Sequence, residues 1–241
     1  MGAASRFEDR SGPIVVERFY DHGLTGRQRA GRLFARIFGQ ALRLILVALP
    51  MVPLLLTAVV TVDLPFSALD GVTEGGVVAS TFISRGDAVF ALVFLMSVIM
   101  ARRFGASLVT NAAVLAWCLT GGAMAALLIE LAPELHADDF PSTRVISALL
   151  VSWFFAHVVG VQVYDLTRGG AWWRAPFFGA LTGFTFQAVL YFPIAYAGAG
   201  APWVWWLTAD IIIMATVSAV FVFVYALFRG LIRPRSGLGG R

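Results

Sequence analysis

Five side chains that lipid tolerates poorly lie inside apolar stretches of this sequence: Asn111, His157, Gln162, Gln187 and Asp210. A charged group at mid-membrane costs about 2.5–3.5 kcal/mol unless it faces a helix bundle or a wet cavity, so each such residue marks a place where function or tight helix pairing is expected. Trp153, His157, Gly160 and Tyr164 recur every three or four residues and share one helical face. Gly179, Gly183, Gln187 and Tyr191 do the same on the following apolar run, and Trp206 lies one turn before Asp210 on the last. Convergence of these faces would gather a carboxylate, an amide and an imidazole among aromatic rings. Such a set suits a flat, hydrogen-bonding heterocycle, with rings stacked on its faces and polar groups reading its edge. The expected substrate-binding residues are therefore Asp210, Gln187, His157, Trp206, Trp153, Tyr191 and Asn111, with Arg102 and Arg168 on the cytoplasmic side. A second reading stands beside this one. Asp210 lies near the outer end of its helix, within reach of water, and His157 and Gln187 bond neighbouring helices.

Hydrolytic and redox signatures are missing: there is no His-Glu-x-x-His, Gly-x-Ser-x-Gly, phosphate-binding glycine loop or cysteine pair. No enzyme activity, catalytic residue, metal or cofactor is expected. Cys118 is the single cysteine and falls in an apolar run, where it reads as a small core residue. His136, Asp138 and Asp139 lie close together in a polar segment, but no second histidine accompanies them and they read as a solvated loop. The net charge of +4 does not signal a nucleic-acid partner, because every basic residue is Arg and nearly all flank apolar runs.

The elements that must position these residues are membrane helices. At 59% hydrophobic and 13% charged residues, the 241-residue chain lies outside the range of soluble domains, as does its mean hydropathy of +0.81. The fold class expected is all-α, a polytopic six-transmembrane-helix bundle with an N-terminal amphipathic helix. Residues 1–40 form a cytoplasmic tail, 41–231 the transmembrane domain and 232–241 a C-terminal tail. No cleavable leader is expected, since the first apolar run starts near Ala41. In the tail, Thr25 reads as an N-cap; Leu33, Phe34, Ile37 and Phe38 then recur at helical spacing opposite Arg27, Arg29, Arg32 and Arg36. A helix of this kind lies on an anionic bilayer surface or docks on a partner.

The spans fall near 41–62, 88–101, 107–131, 145–164, 177–196 and 203–228. The first carries Pro50 and Pro53, which predict a kink. The second, at fourteen residues, is short and predicts a broken or re-entrant element. Asp63, Asp70, Glu74 and Asp87 mark an outer loop before it. Of the eighteen arginines, all but Arg85 and Arg144 fall on one side, which the positive-inside rule makes cytoplasmic, with both termini.

The stretches FALVFLMSVIMARRFGA, AHVVGVQVYDLTR, WWRAP, GALTGF and YFPIAYAG, with Asp210 in the last helix, resemble the queuosine-precursor transporter family, also called vitamin-uptake-transporter-like. The likeness covers roughly residues 75–231, and the Trp172-Trp173-x-Ala175-Pro176 hairpin is its most specific part. The resemblance implies a six-helix bacterial inner-membrane importer of 7-cyano- or 7-aminomethyl-7-deazaguanine, similar to the substrate-binding subunits of vitamin importers. The chain also departs from the family pattern. Ser97-Val98 stands where the family has Thr-Asp, and His157 and Gly160 where it has Gln and Asp. Gly179, Ala180, Phe184, Gln187 and Ala188 replace a Ser-rich, Asp-Thr pattern, and Met214 a Lys. These changes remove charged partners for a deazaguanine. The expectation is thus a diverged transporter of a small planar heterocycle, the alternative being a non-transporting paralogue that acts as a membrane interaction or scaffold protein. The bilayer is the one certain surrounding; an energising partner or a homo-oligomer is left open.

Overall fold

The structure, a computed structural model, describes residues 25–70, 78–131 and 142–232. The segment before Thr25, Glu74, the loop of Glu134, His136, Asp138 and Asp139, and Arg233, Arg235 and Arg241 lie outside the described residues.

Among the described residues the fold is all-helical. Seven α-helices run in chain order: α1 Gly26–Ala48, α2 Met51–Val60, α3 Arg85–Phe104, α4 Ala106–Leu131, α5 Thr143–Leu166, α6 Arg174–Tyr196 and α7 Trp203–Arg229. Five stretches are long and apolar enough to cross a membrane: residues 26–60, and α4, α5, α6 and α7. α3 is not among them. Its twenty residues carry Arg85, Asp87, Arg102 and Arg103, two at each end.

The described residues up to Arg43 form one unit and those from Leu44 on another. Within the first, Thr25 and Gln28 cap each other: the Gln28 amide nitrogen of the main chain donates to Thr25 Oγ1 at 3.4 Å, and Thr25 N donates to Gln28 Oε1 at 3.0 Å. Leu33, Phe34, Ile37 and Phe38 are exposed on α1, and the rings of Phe34 and Phe38 stack at 6.3 Å. The helix runs on without interruption past residue 40 to Ala48.

At the two prolines the helix is interrupted by a turn, with Pro50 still in the right-handed helical region and residues 26–60 still one apolar span. α1 ends, Leu49 and Pro50 turn, and α2 begins at Met51, so that Pro53 falls in its first turn, where a missing N–H costs nothing. The short second run resolves differently from its expectation. α3 is continuous from Arg85, because Ser84 and Asp87 form a reciprocal cap that starts the helix three residues earlier, while Arg102 and Arg103 sit in the last turn, where cations favour the carbonyl end. Gly105, at φ 90°, then redirects the chain into α4, a conformation that glycine adopts without strain.

The described residues from Leu44 on bury small side chains where helices meet, together with large rings such as Trp153, Tyr164, Phe90 and Phe94, and carry other large apolar side chains on the exterior. Ala58, Ala101, Ala112, Ala116, Ala180, Ser97 and Ser152 are fully buried. Phe223, Leu227, Ile129 and Trp205 are 70–75% exposed. An exterior this apolar, with small residues at the helix contacts, belongs to helices solvated by lipid, whose association comes from close packing and not from expulsion of water. The closest pairing joins α5 to α6. There a Cβ on Gly160 would strike the Phe94 ring and come within 2.9 Å of the Gly179 carbonyl, and one on Gly183 would lie 3.1 Å from the Ala156 carbonyl.

Gly160→Ala should therefore cost about 1–3 kcal/mol of stability. Gly121→Ala, whose added Cβ meets nothing within 4 Å, should leave stability unchanged or higher. Thermal unfolding of the two variants in detergent checks the contrast, and equal melting temperatures would refute the packing.

Candidate functional site

Asp87 joins three helices. As the third residue of α3 it accepts from Ser84 N at 2.9 Å and Ser84 Oγ at 2.8 Å through Oδ2, closing the cap. Its other oxygen, Oδ1, points into the bundle and accepts from Trp153 Nε1 of α5 at 3.2 Å and Gln187 Nε2 of α6 at 3.1 Å. Trp153 is held flat for this by Phe90, whose ring stacks on it at 4.9 Å and 4°. Neighbouring Gly86 lets α3 approach this closely, since a Cβ there would meet the Ala58 carbonyl and, at 3.1 Å, the Trp153 ring.

A cavity of about 210 Å³ opens beside this carboxylate. Its walls are Asp87 and Tyr191, Tyr196 from the end of α6, Ser80 and Thr81 from the loop, and Val145 and Leu149 from the start of α5. At roughly 30 Å³ per water, the space equals about seven waters, enough for one small ring compound. Tyr191 and Tyr196 join hydroxyls at 3.2 Å, and Trp206 of α7 meets the Tyr196 ring edge-on at 5.2 Å. Asp210 is buried on α7, one turn after Trp206. Among the described residues it has no hydrogen-bond partner. Arg144 braces this end of the bundle from α5, donating to the Ile194 carbonyl at 2.6 Å and the Ala197 carbonyl at 2.8 Å. Those acceptors are carbonyls that the end of α6 leaves open.

The residues expected from sequence thus separate into groups. Trp153, Gln187, Tyr191, Trp206 and Asp210 gather around Asp87 and the cavity, although only Tyr191 of these lines it. His157 lies one turn further along α5, fully buried, with both ring nitrogens engaged. Trp117 Nε1 can only donate, so at 3.4 Å it fixes His157 Nδ1 as an acceptor. A neutral ring then carries its proton on Nε2 and donates it to Ser97 Oγ at 2.7 Å, and Ser97 passes its own proton to the Val93 carbonyl at 2.8 Å. Asn111 sits on an exposed face of α4, apart from the group. Gln162 also faces outward, bonded to Thr110 Oγ1 at 2.8 Å.

Arg102 and Arg168 lie at the other end, about 22 Å from Asp87 along α3 at 1.5 Å per residue. There Arg102 donates to the Ile232 carbonyl at 3.0 Å and to Tyr225 Oη at 3.4 Å. Tyr225 and Tyr164 join hydroxyls at 3.0 Å, and Arg168 lies over the Tyr164 ring while pairing with Asp165 at 2.7 Å. This network ties α3, α5 and α7 together. Among the described residues no three His, Cys, Asp or Glu side chains gather as a metal would require.

Comparison with family models, with curated proteins and with solved structures finds no match to this chain. What the site can do rests on its own geometry. Asp87 was missed as a site residue because it stands at the edge of an acidic loop. The signal that could have found it is Ser84-x-x-Asp87 directly before an apolar run, the spacing of a helix cap.

Asp87→Ala and Gln187→Ala should be coupled. A double-mutant cycle read by chemical unfolding should return about 0.6–1.7 kcal/mol, the span that intramembrane hydrogen bonds give. Strict additivity would mean that the two side chains do not meet.

Proposed function

We propose that this chain is a bacterial inner-membrane transporter of a small planar heterocycle, akin to the queuosine-precursor importers that its sequence resembles. The observation that carries the reading is the cavity beside Asp87. A carboxylate oriented by an indole and an amide lies at its edge, tyrosine rings line its wall, and loop hydroxyls complete it. A ligand N–H would reach the Asp87 carboxylate by taking the place of one of its four donors, from Ser84, Trp153 or Gln187, while the tyrosines offer both a stacking face and a hydroxyl. A second buried carboxylate at Asp210 supplies a further acceptor once the helices shift. The volume of about 210 Å³ suits a single ring compound.

In this reading α3 is a sixth crossing. Twenty residues at 1.5 Å each reach about 30 Å, the thickness of the hydrocarbon core. Its charges then fall at the two interfaces. Both termini lie in the cytoplasm, by the arginine asymmetry, and the cavity faces outward. The loss of the family's other charged positions narrows the ligand to one that needs fewer polar contacts.

Expression of the chain in a bacterial mutant unable to take up deazaguanine precursors tests the reading, with growth or tRNA modification as readout. The wild type should restore uptake. Asp210→Ala and Asp87→Asn should each lower it about tenfold or more, the cost of one hydrogen bond to a charged group at roughly 1.5–3 kcal/mol. Membrane insertion of both variants should be unchanged. Wild-type uptake that survives both substitutions would remove the pocket assignment. Failure of the wild type to restore uptake, with insertion intact, would favour a paralogue that scaffolds other membrane proteins.

A further inference from the structure

A second hollow lies at the arginine-rich end, on the outside of the bundle. α3 and the end of α7 diverge there and leave a groove of about 720 Å³. Its floor is apolar, with Leu92, Met96, Ile99 and Met100 from one face of α3 and Phe228 and Leu231 from the other wall. Among the described residues its only charged lining residue is Arg103, at one extreme. The two adjacent arginines differ in employment. Arg102 is consumed by the Ile232 carbonyl and Tyr225, whereas Arg103 is exposed, with no ion-pair partner among the described residues.

We propose that this groove seats an anionic phospholipid, with an acyl chain along α3 and the headgroup phosphate on Arg103. The dimensions argue for a lipid. From Leu92 to Arg103 the helix rises about 16 Å, half of the roughly 30 Å hydrocarbon core, so the apolar floor spans one leaflet and ends where headgroups begin. The polarity argues for an anionic one: a guanidinium forms paired hydrogen bonds to phosphate, and a single cation at the interface favours a lipid of net negative charge. A soluble ligand would gain nothing from a floor of leucine, isoleucine and methionine that already faces lipid. The inference is independent of the solute at the other end.

Native mass spectrometry of the full chain, released from detergent with phosphatidylglycerol or phosphatidylcholine of matched acyl chains, tests it. Phosphatidylglycerol adducts should exceed phosphatidylcholine adducts about fivefold, the ratio that one basic side chain confers near anionic headgroups. Arg103→Gln should bring the ratio to about one without altering elution on size exclusion. Met96→Trp, which fills the floor, should lower adducts of both lipids, and inorganic phosphate should not displace them. Equal binding of the two lipids by the wild type, or a preference that survives Arg103→Gln, would overturn the proposal. A preference lost only on removal of residues 233–241 would assign the charge to the C-terminal tail and overturn the role of Arg103.

Discussion

A carboxylate placed in an apolar bundle has to be surrounded by donors, and Asp87 satisfies this by dividing its two oxygens. One closes the start of α3 with Ser84; the other receives Trp153 and Gln187 from α5 and α6. Isolated in hydrocarbon such a group would carry a penalty of several kcal/mol. Distributed over three helices, it specifies their relative height and rotation, because no sliding of α5 or α6 by one residue preserves both bonds. The cavity follows from this. It exists where the carboxylate holds the start of α3 against α5 and α6, and where residues 64–66 pair with residues 83–85 through the Phe66 N to Ile83 carbonyl and Arg85 N to Leu64 carbonyl bonds.

Elsewhere the bundle is held by size. Gly160, Gly179 and Gly183 bring two backbones together, and Phe94 fills the space that their missing side chains leave. His157 sits in this dense region between the rings of Phe90 and Phe94, with its proton position dictated by Trp117 and Ser97. With every polar atom satisfied by protein, it joins α3, α4 and α5 as a fixed strut. A ligand could use it only by displacing one of those partners.

The glycine and aromatic faces of α5 and α6 were legible in the sequence because spacing alone sets which side chains share a helical face. The arginine clusters at the ends of α3 and α7 were equally visible. What spacing cannot convey is pairing across sixty or a hundred residues: Ser97 with His157, Asp87 with Gln187. Asn111 shows a second limit. α4 is apolar almost all round, so its pattern gives no face to the bundle, and the amide that seemed a site residue lies outside it. The interruption at Pro50 was legible as well, and Pro53 falls in the first turn of α2, where its missing N–H needs no partner.

The two ends of the bundle differ in a way that constrains any passage through it. At the loop end, side chains leave a hollow; at the arginine end, Arg102, Tyr225, Tyr164 and Arg168 interlock across three helices. A solute resting beside Asp87 and bound for the arginine end must part the two tyrosines and pass the His157 layer, which has no spare volume. The glycine contacts between α5 and α6 bind those helices as one body. α7 packs on α6 more extensively than any element except α5. It carries both Asp210 and Tyr225, so one helix links the buried carboxylate to the tyrosine bond at the far end, and a passage between the two ends runs along it.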